Sequence, residues 1–119
     1  MRGRLMIEDI TTIQDIDKLY DASQTGPVFL IKHSTVCGIS AAGWDEYQSF
    51  ARSHDKVPMF RVLVRENRTI SLAIAERCGV RHESPQVILF YKGEAIWNAS
   101  HFGINQANMS YALDKLDLD

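Results

Sequence analysis

Residues Val28 to Ile31 are apolar at four consecutive positions, and the chain turns polar only at Lys32 and His33. A strand with one face in water alternates polar and apolar residues, whereas a strand apolar throughout is covered on both faces. Val28 to His33 is therefore expected as a buried strand in a sheet with helices on either side. That expectation orders the rest of the chain around it.

Upstream, Leu5 to Ile7 is a candidate leading strand, and Thr11 or Thr12 is a candidate cap for a helix with Ile13, Ile16, Leu19 and Tyr20 at helical spacing. Asp15 and Asp17 fall in its early turns, and Ser23 to Pro27, with Gly26-Pro27, reads as the break after it. Downstream, Ser34 and Thr35 are cap types for a helix predicted from about Val36 to His54, with Ile39, Ala42, Tyr47, Phe50 and Ala51 on one face. Pro58 opens a strand over Met59 to Val64, and a helix over Thr69 to Arg77 follows with Ile70, Ala73 and Ile74 inward. Gly79 just past its end suits a left-handed cap. Gln86 to Tyr91 and Ala95 to Asn98, joined by Lys92-Gly93, read as an antiparallel hairpin, and a last helix covers Gln106 to Leu116. Strand-helix-strand units give parallel neighbours and the hairpin adds antiparallel ones, so the fold class is α/β with a mixed sheet of four to five strands.

The 119 residues, 45% of them hydrophobic, suit one domain over 1–119, of a size that buries roughly two-thirds of its unfolded surface. A formal net charge of -2 supplies no global attraction to nucleic acid or to an anionic membrane, and neither is expected as a partner. Cys37 and Cys78 are too few and too far apart for the disulfide framework of a small secreted domain. With Glu8 and Asp9 interrupting the basic N-terminus, the expectation is a cytoplasmic protein. The histidines and cysteines have no metal-ligand spacing, and no bound cofactor is expected.

Cys37 is where the chemistry concentrates. A thiol at a helix start lies among N–H groups without intrahelical acceptors, at the positive end of the helix dipole, where its ionised form is favoured. Ser40 stands three residues on, where a dithiol oxidoreductase carries its second cysteine. The bland reading of Cys37 is a small residue at a helix start. Cys78, on the apolar edge of its helix, reads as a packed core thiol rather than a resolving one. Lys32 and His33 point in opposite directions on their strand, either toward the thiol or into solvent or a satisfied hydrogen bond. Trp44, Tyr47 and Phe50 read as packing, and Arg61, Arg65 and Arg68 as a solvated face.

Lys32-His33-Ser34-Thr35-Val36-Cys37-Gly38-Ile39-Ser40 resembles the Lys-His-Ser-Thr-x-Cys-Pro-Ile-Ser signature of the YtxJ family, the monothiol bacilliredoxins of the bacillithiol system. Val80-Arg81-His82-Glu83-Ser84-Pro85-Gln86 resembles a second block of that family, as do Glu66-Asn67-Arg68 and Trp97 to His101. The likeness spans about Val28 to Ile104. It implies a thioredoxin-like fold and a monothiol oxidoreductase in which Cys37 takes bacillithiol from a client protein's mixed disulfide and Ser40 cannot resolve the adduct. Bacillithiol is then the co-substrate, and bacillithiolated proteins and a low-molecular-weight thiol are the partners. Thr35, Gly38, Ser84, Pro85, His82 and His101 are the implied substrate-binding residues, Pro85 by a cis bond facing the cysteine and Ser84 by pairing with an extended client segment. His82, Glu83 and His101 either line a site for the carboxylates of bacillithiol or hold the loops in place. Gly38 departs from the family's proline and frees the first turn of the helix. Ile31 stands where thioredoxins carry a buried Asp. Two alternatives stay open: a glutaredoxin-like protein using another small thiol or an iron-sulfur cluster, and a redox-silent thioredoxin-fold module binding a partner through the Pro85 edge.

Overall fold

A computed structural model describes residues 6–116. The elements run β1 (Ile7–Asp9), α1 (Ile13–Thr25), β2 (Val28–His33), α2 (Gly38–Ser53), β3 (Met59–Leu63), α3 (Arg68–Cys78), β4 (Gln86–Tyr91), β5 (Glu94–Ser100), a 3-10 turn (His101–Gly103) and α4 (Gln106–Asp114). The five strands form one sheet in the order β1-β3-β2-β4-β5. β3 is parallel to both β1 and β2, while β4 is antiparallel to β2 and to β5. β2 lies at the centre with all six residues buried.

Because strand side chains alternate, β2 feeds two separate cores. Val28 and Leu30 pack with Ile16 and Leu19 of α1 and Ile74 of α3, whereas Phe29 and Ile31 pack with Tyr47 and Phe50 of α2 and Met109 of α4. The Tyr47 hydroxyl, buried with its ring, donates to the Phe60 carbonyl at 2.8 Å.

Local chemistry sets the ends of the elements. The Thr12 side chain accepts from Asp15 N–H while the Asp15 carboxylate accepts from Thr12 N–H, a reciprocal cap on α1. That carboxylate is held below its usual range chiefly by the Thr11 backbone N–H. Gly79 ends α3 at φ +75°, and Lys92 and Gly93, at φ +54° and +77°, turn β4 into β5. Two positive φ values in succession are those of a type I′ hairpin.

Several boundaries differ from the sequence reading. Leu5 lies outside the described residues, and the leading strand runs from Ile7 to Asp9. α1 continues through the expected break to Thr25, because buried Ser23 satisfies its hydroxyl by donating to Tyr20 O and accepting from Gly93 N–H. α2 begins at Gly38, not Val36, and neither Ser34 nor Thr35 caps it. Its inward face uses Gly43 rather than Ala42: Ala42 is exposed, and Ile104 lies 3.4 Å from where a Gly43 Cβ would stand. β5 is longer than expected at both ends, and α4 stops at Asp114. Among the described residues no helix is long and apolar enough to cross a membrane.

Candidate active site

β2 ends in two polar residues, and the alternation that splits the core sends one to each face. Both are buried, against the option of solvent exposure. A buried ammonium or imidazole needs partners, and each finds them. On the α3 side, Lys32 Nζ lies 3.1 Å from His82 Nδ1, with Ser71 Oγ 3.4 Å from the same nitrogen. On the α2 side, His33 Nδ1 lies 3.0 Å from Ser40 Oγ and its ring stacks on Trp44 at 5.2 Å, with the Arg61 guanidinium above the Trp44 ring at 4.9 Å.

Burial lowers the Lys32 pKa to about 8. It also pushes His33 down, aided by the Arg61 charge, and His82, aided by the charges of Lys32 and Arg68. Both imidazoles therefore stay neutral near pH 7. An ammonium can only donate, so while Lys32 is charged the His82 Nδ1 accepts and that ring carries its proton on Nε2.

Ser40 explains the late start of α2. Its hydroxyl reaches back to accept from Ser34 N–H at 2.8 Å, which draws residues 34–37 into a turn and leaves Cys37 as the N-cap, with φ -112° and ψ 126°. The Cys37 carbonyl accepts the first helical bond from Ala41 N–H at 3.0 Å. No side chain caps the helix. An N-cap side chain is the one nearest the free N–H groups of the first turn, and here that side chain is the Cys37 thiol, which makes no cap hydrogen bond.

Cys37 opens into a cleft of about 500 Å³ whose other lining residues are Ser34, Val64, Arg65, Arg68, His82 and Ser84. That volume suits a small organic ligand. The Ser84-Pro85 peptide bond is cis, and Ser84 Oγ is buried without a hydrogen-bond partner. Of the residues singled out from sequence, the cleft brings together Cys37, His82 and Ser84, with Pro85 buried behind them. Thr35 and Gly38 are exposed beside the cysteine and do not line it. His101 lies outside, 3.6 Å from the Glu83 carboxylate, its N–H donating to Pro85 O at 3.0 Å. Ser40 is fully buried, and its hydroxyl serves Ser34 and His33; among the described residues it makes no bond to Cys37.

Arg65 and Arg68, read from sequence as a solvated face, are exposed yet line the cleft. Arg61 is instead held by Asp9 through two hydrogen bonds of 2.6 and 3.0 Å. Position relative to Cys37 separates them, and no local pattern carries it. Cys78 is a free, part-buried thiol packed on the α1 and α3 core at the far end of α3, about 15 Å along the helix from Arg68. Among the described residues no group of three or more His, Cys, Asp or Glu side chains is placed to hold a metal ion.

A family model described as monothiol bacilliredoxin BrxC matches residues 8–109. A solved structure described as a candidate oxidoreductase with a thioredoxin fold is 31% identical, superposes with a TM-score of 0.82, and is matched over 89% of this chain and 92% of its own. Thioredoxin from Malassezia sympodialis (17% identity, TM-score 0.74, 97% and 94% coverage) and thioredoxin f from spinach chloroplast (13%, 0.74, 99% and 100%) share the fold. The matched span contains every residue of the cleft, and the one thiol there has a serine three positions on. The chain belongs to the monothiol bacilliredoxin family BrxC, and it is a thiol-disulfide oxidoreductase of thioredoxin fold.

Proposed function

We propose that the protein removes bacillithiol from protein mixed disulfides through Cys37, in the cytoplasm. The observation that carries this reading is a lone thiol at an uncapped helix start, open to a cleft the size of a small molecule, with Ser40 turned away and occupied. In the first step the Cys37 thiolate attacks the bacillithiol sulfur of the client. The client S–S bond breaks, a Cys37–bacillithiol disulfide forms, and the departing client thiolate takes a proton from solvent. In the second step the thiolate of another bacillithiol molecule attacks the bacillithiol sulfur of that adduct. Cys37 leaves as thiolate, and the products are the reduced client and oxidised bacillithiol, the second bacillithiol having supplied the electrons.

The chain's own residues have separate parts in this scheme. The first-turn N–H groups of α2 stabilise sulfur charge both when Cys37 attacks and when it leaves. Ser84 lines the cleft with Cys37 and offers its backbone to the client segment, followed by Pro85 through a cis peptide bond. Ser40 holds the Ser34 to Cys37 turn and has no redox part.

Incubation of the reduced protein with oxidised bacillithiol tests the reading. Intact-mass and peptide analysis should find one bacillithiol on Cys37 and none in a Cys37→Ser variant, and added bacillithiol should remove it. A wild-type protein with no adduct on Cys37 refutes the proposal.

A further inference from the structure

The two arginines of the cleft have no part in the exchange itself. Arg65 and Arg68 line it beside Cys37 and His82. Arg61 and Arg77 are each held by a carboxylate, Asp9 and Asp17, yet among the described residues neither Arg65 nor Arg68 makes an ion pair or side-chain hydrogen bond. Arg68 is the first residue of α3, whose N-cap Asn67 makes no side-chain cap, so the free N–H groups of that helix add partial positive charge at the same end. The His82 ring lines the cleft with them, and the buried Lys32 ammonium lies 3.1 Å from its Nδ1. Two carboxylates are nearby, Glu83, which lies against His101, and exposed Glu66, next to Arg65 in the chain; neither is part of the lining. A concave space with a reactive thiol on one side and two unpaired guanidinium forks on another is built for an anion that also carries sulfur.

We infer that Arg65 and Arg68 form an anion subsite that takes the carboxylates of the low-molecular-weight thiol whose sulfur exchanges at Cys37. The inference rests on the proposed function and adds which end of the small thiol is recognised. A carboxylate-bearing thiol is held by charge-assisted bonds while its sulfur faces Cys37, and a thiol without carboxylates exchanges without that help. The cleft volume favours a small molecule over an acidic segment of a client.

The test uses full-length protein carrying Cys78→Ser, so that Cys37 alone reports, with and without the paired substitutions R65Q and R68Q. Alkylation by anionic iodoacetate is compared with alkylation by neutral iodoacetamide, since their ratio cancels changes in thiol reactivity. The ratio should fall about fivefold or more at low ionic strength in the R65Q/R68Q protein, and the effect should shrink with salt. Exchange is then timed on one client peptide carrying either bacillithiol or mercaptoethanol. The paired substitutions should slow the first about tenfold or more and the second less than about twofold. Equal losses on both, or none on either, overturn the inference. A fallen alkylation ratio with no discrimination between the two mixed disulfides also overturns it and points to an acidic client segment. If the unsubstituted protein exchanges neither mixed disulfide, the proposed function fails, and an alkylation ratio unmoved by the substitutions then removes the subsite as well.

Discussion

Replacing Lys32 with Met should change how stability depends on pH, because the fold buries an ammonium. Lys32 is fully buried, and that burial lowers its pKa from 10.5 to about 8. Its charged form is disfavoured in the fold, so between pH 8 and 10.5 the unfolded chain binds more protons and stability rises with pH. Below pH 8 the full cost is present, about 3 kcal/mol for a shift of that size. From pH 7 to pH 9 roughly 1 kcal/mol of it is relieved. Tyr20 and Tyr47, both raised above 10.0 by burial, titrate outside this window. The assay is urea unfolding followed by Trp44 and Trp97 fluorescence under reductant, at constant ionic strength. Both proteins carry Cys78→Ser, since ionised Cys78 would hold the Lys32 proton. Stability of the lysine-bearing protein relative to K32M should rise by about 1 kcal/mol over pH 7 to 9, a midpoint shift of roughly 0.5 M urea. A gap constant to within about 0.3 kcal/mol refutes the reasoning, because a charge sealed beside His82 has to titrate there.

Cys78→Ser should leave debacillithiolation within about twofold of wild type in a coupled turnover assay, since Cys78 lies outside the cleft. Ser40→Ala should lower stability by about 1 to 3 kcal/mol in chemical denaturation, because the buried Ser34 N–H loses its acceptor and His33 its partner. His33→Gln should flatten the acid limb of the stability curve. Burial lowers the folded pKa of His33 from 6.5, so the unfolded chain takes up the proton first and wild-type stability falls as pH drops below 6.5. Leu19→Ala, at a fully buried contact of α1 with the sheet, should cost about 2 to 5 kcal/mol by thermal or urea unfolding.

What could be read from the sequence was what neighbouring residues determine. The continuous apolar run of β2, the turn at Lys92-Gly93 and the left-handed cap at Gly79 are local consequences of side-chain and backbone preference, and each stands at its expected position. The misplacements have non-local causes. α2 starts late because Ser40 bonds six residues back to Ser34, which no helix propensity encodes. Gly43 replaces Ala42 on the inner face because Ile104, from the other end of the chain, packs above it. The three arginines are alike as sequence, yet Asp9, 52 residues from Arg61, takes that one and leaves Arg65 and Arg68 to the cleft. Cys37 was found by its motif, but the cationic wall near it had no pattern of its own.

The two polar residues that end β2 give the site a division of labour. Strand alternation makes it unavoidable that Lys32 and His33 face opposite cores, and burial makes it unavoidable that each be partnered. His33 takes the hydroxyl of Ser40, which is thereby committed to the turn carrying Cys37. Lys32 takes the Nδ1 of His82, committing that ring to one tautomer at the cleft wall. A second thiol at position 40 would be a poorer partner on both counts: sulfur accepts weakly from the Ser34 N–H and donates weakly to an imidazole. The polar network beneath the site and a dithiol mechanism thus compete for one position. A chain that spends position 40 on holding the turn has no resolving thiol there, and the exchange proposed above draws that thiol from solution through the cleft beside Cys37.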